Sequence, residues 1–287
     1  MASLQSVRSG AAIARHALAS IGVPRRERER LARLVWQDAG HGYDALGLHP
    51  QTVALASALL RWAYQHYFRV SSYGAERVPA RGGVILAANH SGTLPIDAAL
   101  LYLDVLFHTD PPRVPRVVSD VFLPLLPFVG TFMSRVGVVA GTAGTLQHLL
   151  ESGELVMVFP EGLPAIGKPY HQRYQLQVWR VGHAELAIRH RVPVIPVGIV
   201  GAEEQWPQIA RLDVHPFGAP YLPVPATPIP LPVHYHIHYG EPLVLHEGTR
   251  LEDADDPEVV WRAAARVKAA VQALVDRGIR QRAGVFR

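Results

Sequence analysis

The chain has 287 residues, with 28 lysines and arginines against 24 aspartates and glutamates, 15 histidines and no cysteine. That length supports one substantial α/β core or two modest domains without covalent staples, and the absence of cysteine excludes thiol catalysis, thiolate-held zinc and a disulfide framework. A formal charge of +4 favours anionic partners only weakly; with no zinc-finger, RNA-recognition or aromatic stacking pattern beside it, no nucleic-acid partner is expected.

Helical periodicity runs through residues 8–40, with Ile13, Ala17 and Ile21 before the Gly22-Val23-Pro24 break and Leu31, Leu34 and Val35 after it. Pro24 suits the start of the second segment, Arg25 to Gln37. A third helix is expected from Gln51 to Tyr67, gathering Leu55, Ala58, Leu59 and Trp62 near one another. Periodicity does not name the partner of that face: it either inserts at headgroup depth in a bilayer or packs on the rest of the protein. The longest charge-free span, Val214 to Gly240, is broken by prolines and histidines, which opposes a membrane-spanning helix. No secretory signal pattern is seen, so the expected location is cytoplasmic and peripheral to the membrane.

The main core begins near Arg81. A strand is expected at Val84–Ala88, a helix at Ile96–Phe107, and a short strand or turn at Arg116–Ser119. Phe122–Met133 is either a short helix or a substrate-facing loop. Thr142 caps a helix that stops at Ser152-Gly153, and Glu154–Phe159 is the next strand. A helix at Leu176–Arg189 and an apolar strand at Pro193–Val200 follow. The proline-rich run Phe217–Pro232 cannot sustain a long helix, Val233–Gly240 alternates like a half-buried strand, and Pro257–Gly278 closes the chain as an amphipathic helix. Strands separated by helices predict an α/β fold, with a mixed, mostly parallel central sheet flanked by helices and an N-terminal helical addition. The division expected is an N-terminal, membrane-associating region over residues 1–72 and a catalytic domain over residues 73–287.

Chemistry gathers at two strand ends. Asn89-His90-Ser91-Gly92-Thr93-Leu94-Pro95-Ile96-Asp97 follows the first strand, where α/β sheets present loops and helix starts. A neutral His90 would take a proton from an attacking alcohol or amine, with Asp97 on its other nitrogen as orienter. The plain alternative is a loop histidine with structural bonds. Ser91 is not a hydrolase nucleophile on this evidence, because the chain has no G-x-S-x-G elbow. The second cluster is Phe159-Pro160-Glu161-Gly162, in which Glu161 either orients an acceptor or holds the loop, and amides around Gly162 are placed to stabilise an oxyanion.

In the order NHSGTLPID, PFVGTFMSRVGVV, FPEG and VPVIPV, from about Tyr73 to Gly240, the chain resembles the glycerolipid and lysophospholipid acyltransferase family. The resemblance implies transfer of an acyl group from a coenzyme A or acyl-carrier-protein thioester to a hydroxyl or amine of a lipid-like acceptor, with His90 as general base and Asp97 its partner. It implies a membrane surface and a lipid acceptor as partners, with acyl-CoA or the acyl carrier protein supplying the cosubstrate and no tightly bound cofactor or metal. A thioesterase or lipid hydrolase, and a nonenzymatic lipid-binding module, are the competing readings.

The chain departs from the family's pattern in three places. Six residues separate His90 from Asp97 instead of four; Arg135 precedes Gly137 instead of an arginine following it; and FPEG continues with Leu163-Pro164 instead of threonine and arginine. Arg135, Lys168 and Arg173 are the candidates to replace the missing phosphate-binding charge. Phe122, Leu123, Leu125, Leu126, Phe128, Phe132 and Met133 either line an acyl tunnel or pack as core. His234, His236 and His238 share one side of a strand and are expected as the polar face of an edge strand rather than a metal site.

Overall fold

The computed structural model describes residues 25–91, 94–119, 128–162, 165, 168, 170–212 and 222–287. The helix expected within residues 8–22 and the apolar residues Phe122–Leu126 lie outside these. In chain order the first elements are helices α1 (Arg25–Leu31) and α2 (Pro50–Trp62), strands β1 (Ser71–Tyr73) and β2 (Val84–Ala88), helix α3 (Ile96–His108) and strand β3 (Arg116–Ser119). Then come α4 (Val129–Arg135), β4 (Val139–Ala140), α5 (Ala143–Glu151), β5 (Leu155–Val158), α6 (Gly182–Arg189) and β6 (Val194–Val200). The chain ends with α7 (Ala202–Gln205), β7 (Gln208–Leu212), β8 (Leu222–Pro225), β9 (His236–Tyr239) and α8 (Pro257–Gln281).

Seven strands form one sheet in the order β1-β9-β6-β2-β5-β3-β4, and β7 and β8 make a separate pair. Within the large sheet only the β6–β9 pairing is antiparallel, so the sheet is mixed and mostly parallel, as the alternation of strands and helices predicts. β2 is central, with Ile85 opposite Val156 on one side and Val194 on the other. Its five residues are all buried, which explains a continuous apolar run in place of alternation: both faces are covered.

One face carries α3 and the N-terminal helices, and the other carries α5, α6 and α8. Leu31, Val53, Tyr64 and Phe68 belong to the same apolar cluster as Leu86, Leu101 and Ile237, so the N-terminal elements share the core of the sheet. On the opposite face, a side chain at Gly198 would start 2.7 Å from Leu274 Cβ, so glycine lets α8 lie directly on β6. Thr142 caps α5 by accepting the Thr145 amide at 3.3 Å, and Gly153, with φ of +78°, ends it in the left-handed turn.

Three expectations change. The segment Arg25–Gln37 is helical only to Leu31. The expected helix Leu176–Arg189 is reduced to α6, because Leu176, Gln177 and Arg180 give their amides to Gln272, Glu161 and the Pro160 carbonyl instead of to a helix. Finally, β9 is not an edge strand: β1 pairs with it, and His236 and His238 are buried, with α8 covering His238 at Gly278. Their side is packed by rings, with Tyr73 stacked 4.5 Å from His238 and His234 stacked 4.3 Å from His236.

Candidate active site

Where β2 ends, Asn89 continues the ladder with its side chain. Its amide group donates to the Ile199 carbonyl at 2.9 Å and its carbonyl accepts the Ile199 amide at 2.7 Å. Both groups of a buried β6 residue are thereby satisfied, and the next residue, His90, leaves the sheet from a fixed point.

His90 Nδ1 lies 2.8 Å from Asp97 Oδ2, and the same oxygen accepts the Ser91 amide at 2.8 Å. Asp97 sits in the first turn of α3 with no exposed surface, where the orphan amides of a helix start favour a carboxylate. The six-residue spacing is absorbed outside: Leu94 and Pro95 are exposed, and Pro95 stands at the helix start. A carboxylate facing Nδ1 makes that nitrogen the donor, so the imidazole lone pair is on Nε2. The ring packs against Phe159, 4.6 Å between centroids.

Glu161 is 1% exposed and ties three segments together. One carboxylate oxygen accepts the His90 amide at 3.3 Å and the other accepts the Gln177 amide at 2.6 Å. Burial raises its pKa, opposed by the Gln177 amide, Lys168 and the His90 amide and ring. The Gly162 amide closes a turn onto the Phe159 carbonyl at 3.0 Å. The N–H of Gly162 itself is thus committed within the loop. Gly162 has φ of +59°, and the space its side chain would enter is bounded by the Arg180 guanidinium at 3.5 Å.

The three candidate cations lie in different settings. Lys168 is buried, its ammonium 2.8 Å from Glu203 Oε1 and 3.0 Å from the Gln175 carbonyl. Arg173 is exposed and lies over the Tyr170 ring at 4.7 Å. Arg135 is exposed at the end of α4, its guanidinium 5.9 Å from the Tyr43 ring and its carbonyl accepting the His49 amide. Its contacts are therefore with the N-terminal loop. The structure thus brings together His90, Asp97, Glu161 and the loop of Gly162, with Lys168 reaching them through charge.

Asn89, Gln177, Arg180 and Glu203 are neighbours that the motifs did not single out. Asn89 stood beside His90 in plain view, but nothing local in the sequence marks Gln177 or Glu203, which arrive from distant segments. A cavity of about 30 Å³ is lined by Ser91, the residue after His90, together with Lys168, Tyr170, Glu203 and Trp206 among others. A larger one, about 110 Å³, lies at the opposite ends of β3 and β5 against Asp44, Arg116 and Glu154, remote from the dyad. Of the two, the smaller is the one lined by Ser91, the residue that follows His90.

The Acyltransferase family profile matches residues 69–200. An uncharacterized protein of Mycobacterium tuberculosis is 33% identical over 86% of this chain and 72% of its own length. A bovine protein named DGAT1/2-independent enzyme synthesizing storage lipids is 26% identical over 71% of this chain and 58% of its own length. The crystal structure of the 1-acyl-sn-glycerophosphate (LPA) acyltransferase PlsC from Thermotoga maritima has the same fold, with a TM-score of 0.53 at 17% identity, covering 82% of this chain and 83% of that one. A histidine–carboxylate pair at the end of a central strand, within a matching domain, makes this chain an acyltransferase of the glycerolipid and lysophospholipid acyltransferase family.

Proposed function

We propose that this acyltransferase moves a fatty acyl group from a coenzyme A or acyl-carrier-protein thioester to a hydroxyl or amine of a lipid acceptor, with His90 as general base. The observation that carries the reading is the 2.8 Å pairing of His90 Nδ1 with Asp97. His90 Nε2 removes the proton as the acceptor oxygen or nitrogen attacks the thioester carbonyl. When the tetrahedral intermediate collapses, the C–S bond breaks and the imidazolium returns its proton to the departing thiolate. Asp97 stabilises the imidazolium between the two steps. Glu161 acts by holding the His90 amide and the Gln177 segment against the FPEG loop. The relatives named for synthesizing storage lipids accord with a lipid acceptor.

Two surface features support approach to donor and membrane. Arg180, whose guanidinium borders Gly162, and Arg173, which lies over Tyr170, are both exposed and present cations to the phosphates of the donor. Leu59 and Trp62 of α2 are 61% and 63% exposed, and Phe128 and Phe132 at α4 are 90% and 45% exposed. Apolar side chains of this size outside the core suit a headgroup-depth contact, whereas among the described residues no helix is long and apolar enough to cross a membrane. The test is mass-spectrometric detection of acylated lipid from a panel of CoA and carrier-protein thioesters. Product formed by the wild type and lost in His90→Ala supports the reading, and thioester hydrolysis without acylated lipid overturns it.

A further inference from the structure

The cavity lined by Ser91, the residue after His90, contains its own charge balance. Lys168 is its cation, and the ammonium is consumed by Glu203 at 2.8 Å, with both side chains almost wholly buried, 2% and 7% exposed. Glu161 is close enough for its charge to act on Glu203 as well as on Lys168. Two buried carboxylates thus share one ammonium, and Asp97 adds a third carboxylate one hydrogen bond from Ser91. Both Glu161 and Glu203 are held above the usual carboxylate range, chiefly by burial.

A phosphate entering this space would be desolvated against net negative charge, which is costly unless a cation pairs with it. The space is also small: about 30 Å³ is room for roughly two or three water-sized groups. Ser91 is 1% exposed, lines the cavity, and its hydroxyl has no hydrogen-bond partner among the described residues. A hydroxyl both donates and accepts, so it matches an alcohol or ester oxygen.

We infer that this cavity receives the uncharged polar end of the acceptor, Ser91 Oγ bonding an oxygen next to the attacked hydroxyl, so that the enzyme acylates neutral acylglycerol alcohols in preference to phosphorylated ones. The inference rests on the acyl-transfer reading and narrows its acceptor. Lys168, expected from sequence as a phosphate ligand, here neutralises Glu203 and shapes the wall. The exposed Arg173 and Arg180 are left to the donor.

The full-length protein is assayed with oleoyl-CoA and, in matched detergent, with monooleoylglycerol, dioleoylglycerol and 1-oleoyl lysophosphatidate. A kcat/KM for at least one neutral alcohol about tenfold or more above that for lysophosphatidate is expected. Equal or greater use of lysophosphatidate overturns the inference while leaving acyl transfer standing. Transfer to none of them, with only thioester hydrolysis, overturns the acyl-transfer reading and this inference with it. Ser91→Ala should lower kcat/KM for the neutral acceptor about tenfold, mainly through KM, the scale of one lost hydrogen bond. Glu203→Gln, which leaves Lys168 its charge, should shift the preference toward lysophosphatidate; an unchanged ratio in a folded Glu203→Gln enzyme counts against the charge argument.

Discussion

Asp97 Oδ2 accepts from both His90 Nδ1 and the Ser91 amide, each at 2.8 Å, so one oxygen fixes the ring and the chain beside it. Because the carboxylate is fully buried, nothing in solvent competes for it. His90→Ala should therefore lower kcat about 10²–10⁴-fold, the range of a lost general base, without unfolding the protein. Asp97→Asn should cost at least about 100-fold in kcat with little change in KM, since an amide favours the wrong tautomer. Steady-state rates on folded variants check both, and a normal rate in either removes that residue from the proton transfer.

Asn89 makes a stability prediction independent of catalysis. Its side chain bonds both backbone groups of Ile199, a residue with no exposed surface. Asn89→Ala strands a donor and an acceptor in the middle of the fold. The expected loss is about 2–6 kcal/mol, from roughly 1–3 kcal/mol for each of the two unsatisfied buried groups, read as a lower urea midpoint at unchanged slope. A change under about 0.5 kcal/mol would show that the pairing carries no weight.

His183 predicts a pH dependence. Burial pushes its pKa down to about 4, against the bond its Nδ1–H makes to the Arg180 carbonyl at 3.0 Å. In the unfolded chain it protonates near its ordinary value of 6.5. The unfolded state therefore binds the extra proton first as pH falls, so stability from this group is complete above about 6.5 and is lost between there and about 4. The slope approaches about 1.4 kcal/mol per pH unit. Burial raises the pKa of Glu154, Glu161 and Glu203, which gives the opposite sign. Comparing wild type with His183→Gln at each pH cancels those groups. The stability advantage of wild type over the variant should shrink from pH 7 to pH 5; a constant difference would mean that His183 is not held neutral.

The exposed face of α2 makes the last prediction. Leu59 and Trp62 contribute nothing to the core, so Leu59→Glu and Trp62→Glu should leave thermal stability within about 0.5 kcal/mol of wild type. If the face meets lipid, each should weaken cosedimentation with phospholipid vesicles about tenfold or more, because a buried apolar side chain of this size contributes about 1.5–3 kcal/mol. Undiminished binding by the double variant would place membrane contact elsewhere.

Much of the fold was legible because its signals are local. The continuous apolar run of β2 requires burial on both faces, and Thr142 with Gly153 brackets α5 through bonds and backbone angles that span only a few residues. Residues 176–180 misled for the opposite reason. Their composition allows a helix, yet Glu161, Gln272 and the Pro160 carbonyl claim the amides that a helix would need. The histidines of β9 likewise took their apparent edge position from alternation, which cannot report that β1 and α8 close over them.

The sequence by itself carried the resemblance to the reaction family, through NHSGTLPID, PFVGTFMSRVGVV, FPEG and VPVIPV in that order. It also determined that the phosphate-binding positions are altered. Only the tertiary structure decided that His90 and Asp97 meet across six intervening residues, through a loop that carries Leu94 and Pro95 outward. It likewise decided that Lys168 is matched by Glu203, 35 residues away. The physical reason is range: periodicity and capping act over a turn or a strand, whereas the charge of a buried lysine is set by whichever carboxylate the fold delivers to it.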